Sequence, residues 1–187
     1  MSKSIWGYLP EMIIRPVVIH KPAADRPVDV ARMLEEIGEN GTALNTIRME
    51  IGQLKPMFKG FDPEKISPDN LSRAGKQLYS YGLIDNLTAD LMARAAVEFD
   101  KYGKPAKPDE EFNALEFFAR HISDMKNKSY AGDRYAKMLL PDYIRAVHVM
   151  KCLQHFGSTG DGFDSIARKQ REANGDIPKQ KPLKPIM

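Results

Sequence analysis

Apolar residues recur every three or four positions through most of residues 28–156, the spacing that lines one face of a helix. That pattern predicts an all-α fold. A single helical-bundle-like domain of about five to seven helices occupies 28–156, with an extended apolar arm at 1–27 and a flexible tail at 157–187. The clearest elements lie between Ser67 and Gly103. Ser67-Pro68-Asp69 supplies an N-cap, a proline suited to the first helical position, and an acid at the positive end of the helix dipole. Gly82 closes that helix, since a left-handed cap costs glycine nothing. Asp85 or Asn86 opens the next, and Tyr102-Gly103 ends it. Leu71, Ala74, Leu78 and Tyr81 make one apolar face; Leu87, Leu91, Ala95 and Phe99 make the other. The short connection pairs the two helices as neighbours.

Upstream, Val30, Leu34, Ile37, Leu44, Ile51 and Leu54 follow a three-four spacing that ends at Pro56. Gly38-Glu39-Asn40-Gly41 sits in its centre, so the stretch reads either as one long helix with a weak middle or as a helical hairpin. Downstream, Lys104–Pro108 reads as a linker. Asp109-Glu110-Glu111 opens a helix that buries Phe112, Leu115, Phe118 or Ala119, and Ile122. Ser129 is the expected cap of a short helix ending near Leu140. Pro141-Asp142 begins the last helix, which carries Ile144, Val147, Cys152, Leu153 and Phe156 and ends at Gly157.

The two ends differ from the middle. Pro10, Pro16, Pro22 and Pro27 keep the first segment out of a helix. Ile13–Ile19 has strand-like composition but no second strand to pair with. Trp6, Tyr8, Met12, Ile13 and Ile14 are too apolar to stand in water alone, so the arm is expected to lie in a groove, either of its own helical body or of a partner. Beyond Gly157 the chain is polar and rich in Gly, Pro and Lys, and lacks the apolar content to fold by itself. Its Lys179–Pro185 stretch resembles a ligand of SH3 domains: Pro182 and Pro185, three apart, share a face of a polyproline II helix behind a cation.

Charge sharpens this division. The chain of 187 residues carries a formal +3. Residues 1–26 hold four cations against two acids, and 157–187 hold six against four. The helical body is therefore near neutral, which argues against a basic nucleic-acid face. The single cysteine, Cys152, allows no internal disulfide and fits a reducing compartment. No run approaches the roughly 20 apolar residues of a membrane span, and charges and prolines interrupt any signal-peptide core. A cytoplasmic location is expected; an unprocessed signal for a specialised secretion system would leave no mark in this pattern.

Candidate chemistry is sparse. His148, Cys152 and His155 stand at i, i+4 and i+7, but His148 and His155 are about 10 Å apart along a helix, too far to share one zinc ion. A metal would need further ligands such as His121 or Asp124, and none is expected. Asp100–Glu111 has the length of a calcium loop, but Tyr102, Lys104 and Ala106 replace its oxygen ligands. Asp161 and Asp164 have no further acids in register. A helix-turn-helix reading of Ser67–Tyr102 fails on charge, because Asp85 and Asp90 lie where phosphate would sit. No nucleophile, base and acid form a local motif, and no cofactor signature is present. The sequence thus points to a non-enzymatic protein-binding module, an adaptor, chaperone-like or assembly component, working through the arm or the long first helix and open to homo-oligomerisation. The alternatives are a small helical enzyme with a site assembled from distant residues, and a DNA-binding helical protein.

Overall fold

A computed structural model describes residues 28–97, 106–160, 170, 173–175 and 183–186. Within them the fold is all-α, with seven helices: α1 (Val30–Ile37), α2 (Thr46–Ile51), α3 (Lys55–Phe58), α4 (Pro68–Ser80), α5 (Asn86–Arg94), α6 (Ala114–Tyr130) and α7 (Arg134–Thr159). The stretch read as one long helix with a weak centre or as a helical hairpin is three short helices, the first break falling at the Gly38–Gly41 centre. Gly38 has φ 67°, and its N–H bonds the Leu34 carbonyl, so α1 stops there. Asn45 restarts the chain as a new N-cap, its side chain accepting from the Arg48 N–H at 2.9 Å.

The pair α4–α5 has the predicted punctuation. Ser67 accepts from the Asn70 N–H, Gly82 has φ 65°, and Asp85 accepts from the Thr88 N–H at 2.7 Å. The two helices approach closely because Gly75 faces Ala89 and Met92. A β-carbon at Gly75 would stand 3.1 Å from the Met92 β-carbon and 3.2 Å from the Ala89 carbonyl oxygen. Two expectations fail here. Helix α5 ends at Arg94, before a positive-φ Ala96 (52°), and Tyr102-Gly103 and Phe99 lie outside the described residues. Its fully buried residues are Thr88, Ala89 and Met92; of the stripe expected, Ala95 is buried just past the helix end and Leu91 packs against the core, but Leu87 is 40% exposed.

The second layer is the α6–α7 hairpin. Asn113, not Asp109, caps α6, accepting from the Glu116 N–H at 2.9 Å. The acidic stretch before it is held in a loop, because Phe112 makes an antiparallel bridge with Ile66 and the Ala114 N–H bonds the Pro63 carbonyl at 2.8 Å. Helix α6 then runs through Ser129 without a break. Gly132 (φ 95°) turns the chain, and Asp133 caps α7 by accepting from both the Tyr135 and Ala136 N–H groups. Helix α7 passes through Pro141. An exposed proline removes one helical hydrogen bond from the water-facing side, which 26 helical residues outweigh once the Asp133 cap fixes the start.

Gly157 does not end α7. It is buried because α3 crosses it: a β-carbon there would fall 2.6 Å from the Phe58 carbonyl oxygen. Gly160, left-handed at φ 73°, is the actual stop, and Lys55 donates to the Thr159 carbonyl beside it. Between the layers lies one core. Leu71, Leu78 and Met92 meet Phe118, Ile122, Val147, Met150, Leu153 and Phe156, with Leu44, Met49, Leu54 and Phe58 closing one end.

Candidate functional site

The far end of the α6–α7 hairpin carries the three most exposed large apolar side chains among the described residues. Tyr130 is 87% exposed at the end of α6; Tyr135 (79%) and Met138 (71%) follow on the first turns of α7, with Leu139 partly exposed beside them. Tyr135, Met138 and Leu139 stand at i, i+3 and i+4, one continuous helical stripe. In this part of α7 only Ala136 is buried, so the stripe turns away from the core. Cations surround it: Lys128, Arg134 and Lys137 are all exposed. The nearby acids are committed, Asp124 to Lys128 at 2.7 Å and Asp133 to the α7 cap. The Asp124 carboxylate raises the Lys128 pKa. Single exposed apolar side chains are ordinary on a soluble surface; four together are not.

A second constellation lies along α7. His148 Nε2 sits 2.9 Å from the Ile37 carbonyl. Lys151 Nζ donates to the carbonyls of Leu34 (3.3 Å) and Gly38 (3.0 Å). The Cys152 thiol donates to the Asn40 carbonyl at 3.2 Å. These three side chains grip the carbonyl end of α1, where a helix leaves acceptors unpaired and favours positive charge. Helix α1 itself has no fully buried residue and is held further by Lys126 of α6, 3.2 Å from Glu36. Burial raises the Cys152 pKa, and the neighbouring Glu39 adds to the rise against a hydrogen bond to the Leu44 backbone. The thiol is therefore a poor nucleophile. The supplementary ligands considered for a metal are elsewhere: His121 bonds the Phe117 carbonyl at 3.0 Å, and Asp124 pairs with Lys128. Among the described residues no three or more His, Cys, Asp or Glu side chains are grouped to hold a metal ion.

A cavity of about 590 Å³ opens beside this clamp, between the loop at Glu39, Asn40 and Gly41 and the α7 residues Lys151, Cys152, Gln154, His155 and Ser158. On its wall Lys151 and Cys152 are already bonded to backbone carbonyls. On the opposite side Arg145 of α7 pairs with Asp85 at 2.7 Å and fixes the start of α5. Burial pushes the Asp85 carboxyl up, but the hydrogen bond from the Thr88 N–H and the Arg145 guanidinium outweigh it, and the net pKa is lowered.

Of the residues singled out in the sequence, Trp6, Tyr8, Met12, Ile13, Ile14 and Pro182 lie outside the described residues. Pro185 is exposed, within a short segment that touches the body. Sequence reasoning misses the hairpin tip. Tyr135, Met138 and Leu139 have the same spacing as a buried stripe, and only the position of the α6–α7 turn shows that they face outward. No described helix is long and apolar enough to cross a membrane. Comparison with protein-family models, with curated proteins and with solved structures finds no match.

Proposed function

We propose that this protein is a non-enzymatic protein-binding module, an adaptor, chaperone-like or assembly component, that engages its partner through the tip of the α6–α7 hairpin. The observation that carries the reading is the exposure of Tyr130, Tyr135 and Met138 together at one end of the molecule. Large aromatic and thioether side chains are those that contribute most when an interface buries them. A long first helix is not available as a binding element, since that stretch is three short helices packed on the body. The arm residues Trp6, Tyr8, Met12, Ile13 and Ile14 remain a proposed second contact.

Binding is favoured over catalysis because Lys151 and the weakly nucleophilic Cys152 on the cavity wall are engaged by main-chain carbonyls of α1 and the loop after it. It is favoured over DNA reading because Asp85 and Asp90 occupy the start of α5, each already paired with arginine. The test is a pull-down from the native source with three full-length chains. They are wild type, Tyr130→Ser/Tyr135→Ser/Met138→Ser, and a control altered at other exposed apolar positions, Tyr79→Ser/Leu87→Ser. The expected result is a partner held by wild type and control and lost by the tip variant, with unfolding midpoints of wild type and tip variant alike. The same partners on all three, or none on any, would count against the tip.

A further inference from the structure

We infer that the surface between the end of α2 and the α4–α5 turn is a docking groove for an extended aliphatic segment, and that its occupant is the chain's own Leu183–Ile186. The evidence begins at Gly52. Its backbone is ordinary right-handed helix, φ −71° and ψ −1°, so conformation does not require glycine there. Packing does. A β-carbon at Gly52 would lie 2.7 Å from the Leu183 β-carbon and 3.0 Å from its Cδ1.

Further along, the Ile186 N–H donates to the Ser80 carbonyl at 2.8 Å. Ser80 is the last residue of α4, where carbonyls have no partner within the helix. The extended segment thus supplies a hydrogen bond that the helix cannot make for itself. The Ile186 side chain reaches over Gly82, where a β-carbon would stand 3.1 Å from its Cδ1. Leu183 and Ile186 each reach the body, at Gly52 and Gly82, while Lys184 and Pro185 are exposed. The groove's ligand chemistry follows: two aliphatic side chains three residues apart, and a free backbone N–H at the second.

Ile186 is still 69% exposed, so the segment is held lightly. Tethering makes up for this, since a linked segment is present at high effective concentration whatever its intrinsic affinity. A competing segment from another protein must overcome that occupancy to bind.

Four full-length chains test the assignment: wild type, Gly52→Ala, Leu183→Gly, and the double variant. The readouts are amide hydrogen exchange at Ile186 and the urea midpoint. Wild type should protect the Ile186 amide, and either single variant should lose that protection. Gly52→Ala should lower the midpoint in the wild-type chain. In the Leu183→Gly chain the same change should cost less, because the two contacts with Leu183 are gone and only the Arg48 carbonyl, 3.1 Å from the added β-carbon, remains. An unprotected Ile186 amide in wild type would overturn the inference. So would a midpoint changed equally in both backgrounds. Protection that grows with protein concentration would place the segment on a second copy and overturn the assignment to the same chain. If Gly52→Ala does not fold, Leu183→Gly still decides: lost protection in a folded chain supports the groove, and retained protection refutes it.

Discussion

Asp85 does two jobs with one carboxylate. One oxygen caps α5 by accepting from the Thr88 N–H, and the other pairs with Arg145 on α7. The pair is half exposed, so the ion pair by itself contributes modestly; the cap is worth about 1 kcal/mol. Asp85→Ala should therefore cost about 1–2 kcal/mol in urea unfolding, and Asp85→Asn much less, since asparagine also caps. The two differ again with pH. A carboxyl whose pKa is lowered by folding adds stability above its unfolded value, about 3.8, and that stability is lost as pH falls through the lower folded value. The Asp85→Asn variant should show a flatter stability profile below about pH 4 than wild type. Equal profiles would mean that neither the Thr88 N–H nor Arg145 favours the Asp85 carboxylate in the folded state.

At the scale of elements, the structure depends on close backbone approach at a few glycines. Gly157 is the sharpest case. Alanine is the better helix former, so Gly157→Ala would stabilise a free helix. Here its β-carbon would meet the Phe58 carbonyl at 2.6 Å, a backbone atom that cannot swing aside. We expect a net loss of about 1–3 kcal/mol, the usual cost of overpacking, read from the urea midpoint; a gain would show that α3 does not sit on α7 as described. The same contrast explains what is legible in the sequence and what is not. Ser67, Gly82 and Asp85 are readable because capping is local: one residue's side chain or φ decides it. Gly157 reads as another stop because its real reason, α3 crossing the helix, is set by residues about a hundred positions away. Pro141 reads as a start because proline opens helices more often than it sits within them. Asp109–Glu111 reads as a first turn, but the Ile66–Phe112 bridge holds that chain extended. The candidate site is the least legible part. An outward stripe and an inward stripe have the same spacing, and only the assembled hairpin tells Tyr135 and Met138 from Leu153 and Phe156.

For the molecule as a whole, the core residues among those described all lie between Leu44 and Phe156. The two layers close on each other through them. Removing residues 1–27 should then leave a chain with a cooperative unfolding transition and the helical circular-dichroism signal of the body. Loss of that transition would make the arm part of the core. The tip of α6–α7 stands apart from the buried cluster, so its side chains can change at little cost to folding. That separation gives the proposed binding surface freedom that the α4–α5 pair, with Gly75 wedged against Met92, does not have.

The grip on α1 has a consequence for how this protein can diverge. His148, Lys151 and Cys152 bond to main-chain oxygens of residues 34, 37, 38 and 40, atoms that every amino acid possesses. Helix α1 buries no residue fully, but Met33, Leu34 and Ile37 pack against the core and Glu36 pairs with Lys126. Its outward positions, Ala31 and Glu35 among them, can therefore drift among descendants of this gene while the helix keeps its place, whereas α7 must preserve three particular side chains. Lineages should be recognised by α7, and told apart by the outer face of α1.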